Sequence, residues 1–231
     1  MNSNKKLIGI ASGSIISAAV IVLFLSMSSE MMLNEIKFTE QENGNNPVVA
    51  EINDQKIRLD DVLDAINMEV SQGQMIDSAT VLDRMIAKIL LLEEAQARNI
   101  TITMTEAEDE IISMYTQSKL SPVQFEEKLE EIGTTYDQTL EMYREEMIIN
   151  KMLTDEISKS EIQITDEDAK IVFDENRKVI LSQVGNSTVF EDISSQIKST
   201  LLQQKQQEIA LDIIEHLKNK AVIVIYEDRL P

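Results

Sequence analysis

The stretch NPVVAEINDQKIRLDD, residues 46–61, decides the fold because it introduces strands into a chain whose other patterns are almost all helical. Apolar and polar residues alternate on either side of a central Asn-Asp pair, which predicts two short strands joined by a tight turn. The only other strand-like run is AVIVIYE, residues 221–227. Because a two-stranded hairpin alone is marginally stable in water, we predict that residues 221–226 pair with residues 48–53 and close a small sheet.

Helix signals fill the interval between these strands. The run VLDRMIAKILLLEEAQARN, residues 81–99, has few polar positions, which predicts a centrally buried helix. Thr105, Ser121, Thr135 and Thr165 each stand three positions before an acid or an amide, the spacing of a capping box, and so predict helix starts. The patterns predict helices near residues 105–118, 122–132, 135–158, 166–177 and 190–218, with residues 178–188 as a short non-helical connector.

Composition excludes several classes of function. With 41 acidic against 21 basic residues the formal net charge is −20, which argues against binding to nucleic acid. The sequence has no cysteine and no glycine-rich phosphate loop, so we expect no thiol chemistry, no bound nucleotide and no cofactor. We expect no catalytic residue either, because the single histidine, His216, lies in the last predicted helix as a solvated side chain. Asp60, Asp61 and Asp64 suit a helix start better than a metal site.

The first 27 residues have the pattern of a membrane anchor. Lys5 and Lys6 precede residues 7–27, an uncharged apolar run long enough to cross a hydrocarbon core of about 30 Å. Basic residues before this run predict a cytoplasmic N-terminus, with residues 28–231 on the outer side of the membrane. A cleaved signal peptide is the alternative, although no small-residue cleavage motif follows the run. Residues 28–46 are polar and predict a linker.

Two long stretches carry a family resemblance. VVAEINDQKIRLDDV, residues 48–62, and VLDRMIAKILLLEEAQARNITITMTEAEDEI, residues 81–111, resemble the N-terminal domain of the SurA/PrsA family of extracytoplasmic foldases. FEDISSQIKSTLLQQKQQEIALDIIEHLKNKAVIVIYEDRL, residues 190–230, resembles the closing helix and strand of that family. The client-binding domain of trigger factor is a more distant relative. The family usually has glycine where this chain has Asp54, and Asp tolerates the left-handed backbone that such a turn requires.

The resemblance implies a mainly α-helical chaperone domain with a small β element over residues 47–231. Residues 47–100 and 189–231 would form its base, and residues 101–177 would form a helical arm. Family members usually carry a parvulin-type prolyl isomerase domain before the last helix, where this chain has only residues 178–188. Because a domain needs at least about 50 residues, we expect a chaperone frame without its own isomerase.

The resemblance also implies a function. We expect a membrane-anchored, extracytoplasmic, ATP-independent chaperone-like protein that binds unfolded or newly exported polypeptides. Flexible methionine side chains suit varied clients, and the candidate client-binding residues are Met104, Met114, Met142, Met147 and Met152. One alternative is a structural subunit whose acidic lobe docks a dedicated membrane-protein partner. A minor alternative is an active peptidyl-prolyl isomerase.

Two triplets match the acceptor sequence for N-glycosylation. They begin at Asn99 and Asn186. On an exported protein, both asparagines would be candidate modification sites if they lie at the surface.

Overall fold

The computed structural model describes residues 46–71, 76–184 and 189–231. Within them the chain is mainly α-helical with a small β element, as predicted. The elements are β1 Val48–Ile52, β2 Gln55–Arg58, α1 Leu59–Ser71, α2 Ser78–Ala97, α3 Met104–Gln117, α4 Pro122–Glu131, α5 Tyr136–Lys159, α6 Asp166–Val184, α7 Phe190–Lys220 and β3 Ile223–Ile225, followed by a short 3-10 turn, Glu227–Arg229. The predicted membrane segment, residues 7–27, lies outside the described residues. None of the helices that are described is long and apolar enough to cross a membrane.

The strands form one antiparallel sheet in the order β2-β1-β3. Ala50 in the central strand faces Ile57 on β2 and Ile225 on β3. The predicted pairing of the two ends of the domain is therefore confirmed. Because the partners are about 170 positions apart in the sequence, pairing them closes a long loop at a cost in chain entropy.

Asn53 fixes the hairpin turn and connects it to two other elements. Its φ of 51° lies in the left-handed region, which asparagine tolerates better than most residues. Our expectation that Asp54 adopts this backbone is wrong. The backbone N–H of Asn53 donates to Val222 O at 2.9 Å, and its side-chain amide donates to Glu93 on α2 at 2.7 Å. The turn therefore joins β1, β3 and α2.

The sheet, α1, α2 and the C-terminal halves of α5 and α7 form what we call the base. Twenty of the described residues are buried together in its core, and α2 supplies eight of them. The predicted central burial of this helix is thus confirmed. The C-terminal half of α5 adds Ile149, Met152, Leu153 and Ile157, and α7 adds Ala210 and Leu217. Burying one such large aliphatic side chain contributes about 1.5–3 kcal/mol. With twenty buried residues, the base core therefore supplies most of the stabilisation that comes from apolar burial.

The helices α3 and α4 and the N-terminal half of α5 form a three-helix lobe. Six described residues are buried in its core: Ile102, Ala107, Ile111, Phe125, Leu129 and Leu140. The Phe125 ring stacks on Tyr115 at 5.2 Å and meets Tyr136 edge-on at 6.4 Å. Aromatic pairs in these two geometries add about 0.5–1.5 kcal/mol each beyond their burial. The lobe thus has a small core of its own.

Helix α6 and the N-terminal part of α7 form a third unit, the α6–α7 pair. Phe173, Ile180 and Ile193 are buried in its core together with Ala169 and Ile197. Lys198 Nζ binds Asp166 Oδ1 at 2.8 Å across the two helices. The predicted non-helical connector is wrong over residues 178–184, where α6 continues because Ile180 packs into this core. The rest of the predicted connector, residues 185–188, lies outside the described residues.

Hydrogen bonds confirm three of the four predicted helix starts, those at Ser121, Thr135 and Thr165. The fourth prediction, Thr105, is wrong because α3 begins two residues earlier with Thr103 as its cap. The two sites have the same Thr-x-x-Glu spacing, so local sequence does not separate them. Ile102 and Ala107 flank the observed cap and are both buried in the lobe core, an apolar staple that fixes the earlier start.

Candidate functional site

Exposed apolar side chains concentrate on particular parts of the molecule. Thirteen large apolar side chains of the described residues are exposed, and nine of them belong to the lobe and the α6–α7 pair. On the lobe they are Met104, Ile112, Met114, Val123 and Ile132, on or beside the α6–α7 pair they are Ile171, Val179, Val189 and Leu202, and elsewhere they are Leu211, Val222, Val224 and Ile225. The lobe and the α6–α7 pair therefore carry most of the large apolar side chains that a partner could contact.

Three of the predicted client-binding methionines lie on the lobe and are at least partly accessible. Met104 is 46% exposed and Met114 is 40% exposed, both on α3. At about 1.5 Å per residue they are separated by about 15 Å along the helix, at the margins of the face that buries Ala107 and Ile111. Met147 is half-buried and packs against the lobe core from α5. Two accessible methionines thus lie on one helix of the lobe, and a third lies partly beneath the surface.

The structure does not bring all five predicted methionines to one surface. Met142 is buried, and Met152 is fully buried in the base core. Both belong to α5, whose N-terminal half is part of the lobe and whose C-terminal half is part of the base. Methionines along such a helix fill the interior on several sides, so Met142 and Met152 are out of reach of a bound chain.

The lobe surface is strongly acidic. Over residues 101–135 it has eight exposed carboxylates and two exposed lysines, Lys119 and Lys128. The carboxylates are Glu106, Glu108, Asp109, Glu110, Glu126, Glu127, Glu130 and Glu131. Hydrogen bonds from the Thr103 backbone and hydroxyl hold the pKa of Glu106 below its usual value. The exposed apolar side chains of the lobe are thus surrounded by negative charge at neutral pH.

A buried charge cluster lies where α5 passes from the lobe to the base. Lys88, only 6% exposed on α2, binds Glu145 Oε2 at 2.7 Å. The next residue, Glu146, is half-buried, and burial raises its pKa to about 7, with the Glu145 charge adding to the rise and Lys88 opposing it. One ammonium therefore faces two carboxylates, and near neutral pH the second carboxylate is partly protonated.

A cleft of about 430 Å3 lies in the base between α2, α5 and α7. The Arg98 guanidinium pairs with Glu94 at 2.6 Å and with Glu156 across the cleft wall. His216 also lines the cleft and is exposed to solvent. Within the residues that are described, no group of three or more acidic or histidine side chains is arranged to hold a metal ion. Asp60 and Asp61 lie in the first turn of α1, as the helix-start interpretation predicts.

Of the two glycosylation triplets, one lies in the described part of the chain. Asn99 is exposed in the turn after α2, with a φ of 58°. Asn186 lies outside the described residues. Use of either triplet stays a prediction.

Two features of the surface and interior were missed by sequence reasoning. The first is the exposure of the β3 strand and of the residue before it, since Val222, Val224 and Ile225 are all exposed. The second is the Lys88 cluster, for which the signal was a lysine in the middle of the most apolar helix. An apolar run of the β3 kind predicts a buried strand, so only the strand order reveals that this strand lies at an edge.

Comparison with known proteins identifies the family. A family model described as a SurA-like N-terminal domain matches residues 5–153, more than half of the chain. The chain therefore belongs to the SurA-like N-terminal domain family, as the resemblance predicts.

Two known proteins are similar to this chain. Over 98 residues the chain is 36% identical to the foldase protein PrsA of Caldanaerobacter subterraneus subsp. tengcongensis, an alignment that covers 42% of this chain and 26% of that protein. The chain thus matches about a quarter of the length of this relative. A solved structure from a study of PEB4 and Cj1289, two SurA-like chaperones of Campylobacter jejuni, is similar with a TM-score of 0.61 over 79% of this chain and 100% of that chain. At 14% identity, this likeness shows the fold.

Proposed function

We propose that this protein is an extracytoplasmic, ATP-independent chaperone-like protein that binds unfolded or newly exported polypeptides. The observation that carries the proposal is the distribution of exposed apolar side chains, nine of thirteen of which lie on the lobe and the α6–α7 pair. Unfolded chains differ from folded ones in the apolar surface that they expose, and a protein that binds them needs accessible apolar surface of its own. Membership of a SurA-like family supports the same role.

The proposed contact residues are the accessible members of the predicted methionine set. Met104 and Met114 are exposed on α3, and Met147 on α5 is half-buried against the lobe core. An unbranched thioether side chain adapts to differently shaped clients at low cost. Because Met142 and Met152 are buried, the proposal does not include them as contacts.

The proposal places the protein at the cell membrane. Residues 7–27 would span it once, with the N-terminus in the cytoplasm and residues 28–231 outside. The uncharged run after Lys5 and Lys6 supports the anchor, and the likeness to a foldase protein PrsA supports the outward orientation. Protease added outside intact cells should then degrade the domain, whereas full protection until lysis would contradict this orientation.

Aggregation of an unrelated protein tests the function. The full-length protein is mixed with a chemically unfolded client that is then diluted into buffer without ATP, and light scattering reports aggregation. Suppression near a one-to-one ratio for at least two unrelated clients is the expected result. No suppression by a protein with its native circular dichroism spectrum would contradict the proposal.

One observation favours a second candidate function, a structural subunit that docks a dedicated membrane-protein partner. The eight exposed carboxylates of the lobe would suit a single basic partner. Such binding should weaken steeply with salt, because exposed charges are screened within about 10 Å at 0.1 M ionic strength. Holding of unfolded chains by apolar contact should depend only weakly on salt, so the scattering assay at 50 mM and 500 mM salt separates the two.

We propose further that the protein has no prolyl isomerase domain of its own. The interval of residues 178–188, where relatives usually carry that domain, supports this part of the proposal. A proline-limited refolding assay should therefore show no acceleration. A rate that rises in proportion to the added protein would contradict it.

A further inference from the structure

The strand β3 combines an edge position with exposed apolar side chains. Val222, Val224 and Ile225 are 70%, 42% and 45% exposed. The segment Ala221–Tyr226 has no charged residue, although sheet edges are usually protected by charges, prolines or a covering element. Within the described residues β3 pairs with β1 alone, so its outer side is open.

The hydrogen bonds of β3 show which of its backbone groups are directed outward. Val222 O accepts from Asn53 N, and Tyr226 N donates to Val49 O, each at 2.9 Å. In an antiparallel pair the residues that bond to one neighbour alternate along the strand. Val222, Val224 and Tyr226 therefore direct their backbone groups toward β1, and the N–H and C=O groups of Ile223 and Ile225 point away from it.

We propose that β3 is a second polypeptide-binding site, where an extended apolar segment of an unfolded client adds to the sheet as a fourth strand. This inference rests on the proposed chaperone function and assigns a different site and a different mode of binding. Strand addition uses backbone hydrogen bonds, which every sequence can offer, and so suits varied clients. Val222 and Val224 on one face and Ile223 and Ile225 on the other favour β-branched or aromatic client residues.

A second copy of this chain is a poorer occupant of the edge. Each copy has a formal net charge of −20, so two copies repel each other. β3 spans three residues, and a stable protein interface buries about 1,200–2,000 Å2, far more than so short a strand can cover. A short, uncharged edge instead suits weak, reversible contact with an extended chain.

Hydrogen exchange on the full-length protein tests the inference. The probe is an eight-residue peptide of alternating threonine and valine with a lysine at each end. At saturating peptide, NMR should show the Ile223 and Ile225 amides exchanging at least tenfold more slowly, whereas Val224 and Tyr226, already bonded toward β1, change little. Unchanged exchange at Ile223 and Ile225 would overturn the proposal.

A pair of proline variants gives a matched control. Ile225→Pro removes an outward N–H from β3. Lys56→Pro is the equivalent change on β2, the other edge of the sheet. Glu51 faces both Val224 and Lys56 and bonds toward Val224, so the N–H of Lys56 points outward. We expect I225P to weaken peptide binding at least fivefold and K56P to leave it unchanged. Equal effects of the two variants would contradict binding at β3.

A modified peptide tests the same contact without changing the protein. N-methylation of the alternate peptide amides that bond to β3 should abolish protection of Ile223 and Ile225. N-methylation of the other set of alternate amides, which point away from β3, should not. Protection that survives both modifications would overturn strand addition. If the wild-type protein suppresses aggregation but β3 gains no protection, this inference fails and the proposed function stands. If the wild-type protein suppresses no aggregation, the proposed chaperone function itself is contradicted, and the inference that rests on it falls with it.

Discussion

The base and the three-helix lobe bury very different shares of their large apolar side chains. The base buries twenty of the described residues in one core that joins the sheet to four helices and leaves four large apolar side chains exposed, whereas the lobe buries six and leaves five exposed. One helix, α5, belongs to both. The difference indicates a division of labour, in which the base supplies stability and the lobe presents surface.

The largest expected effect comes from opening a cavity in each core. Leu91 in the base and Leu129 in the lobe are both almost fully buried. Leu91→Ala should lower the free energy of unfolding by about 2–5 kcal/mol, measured by urea denaturation. Leu129→Ala should mainly raise amide exchange in the lobe and leave the base protected, because the lobe core is separate. Equal loss of protection in base and lobe for L129A would show one cooperative unit and contradict the comparison.

The junction between base and lobe should give a pH effect of similar size. The pKa of Glu146 is raised by burial from 4.5 to about 7, so the folded protein holds this proton more tightly than the unfolded chain. Glu146 therefore favours folding at low pH, and the free energy of unfolding should fall by up to about 3 kcal/mol as pH rises from about 4.5 to above 7.

Glu146→Gln isolates this effect from the many other carboxylates. We expect the stability difference between pH 5 and pH 8 to be smaller in E146Q than in the wild type. Glu110→Gln, at an exposed position of α3, serves as the matched control and should leave the difference unchanged. If E146Q had the same pH profile of stability as the wild type, Glu146 would not be the group that causes this pH dependence.

Helix capping should have a smaller effect that is confined to the lobe. Thr103→Ala removes the observed cap of α3 and should cost about 1 kcal/mol. Thr105→Ala changes the residue that local spacing also favoured and should cost little. Thermal unfolding and lobe amide exchange check both variants. A larger loss of stability for T105A than for T103A would instead support Thr105 as the cap of α3.

The surface methionines should affect stability least. Met104→Ser with Met114→Ser should leave the unfolding midpoint nearly unchanged, because both side chains are exposed. Client binding should weaken several-fold, measured by fluorescence anisotropy of a labelled unfolded protein. Leu211→Ser removes an exposed apolar side chain of α7 outside the lobe and is the control. Equal binding by both variants and the wild type would exclude the lobe methionines as contacts.

Sequence predicted the parts of the fold that depend on strong local patterns. Alternation on both sides of the Asn-Asp pair, and a second strand-like run, sufficed for the closed sheet. The caps at Ser121 and Thr135 followed from spacing alone. Thr103 and Thr105 have identical spacing, and only the burial of Ile102 decides between them. The extension of α6 likewise depends on Ile180 meeting α7, a contact that local sequence does not encode.

The candidate site was less predictable than the fold. The chemistry of methionine shows that its side chain can adapt to different clients. Its exposure, however, depends on how the base core and the lobe core share α5. Sequence therefore could not separate exposed Met104 from fully buried Met152. An apolar run like that of β3 is typical of a buried strand, whereas its exposure follows from strand order, which is a long-range property.

Single-cysteine crosslinking tests the central claim most directly, because the chain has no cysteine of its own. Cysteine is placed singly at Met104 on the lobe, at Ile171 on α6 and at the exposed Asp60 on α1, and each is labelled with a photocrosslinker before unfolded client is added. The account predicts strong client crosslinks from Met104→Cys and Ile171→Cys and weak ones from Asp60→Cys. Equal crosslinking from all three positions, or crosslinking from Asp60→Cys alone, would contradict it.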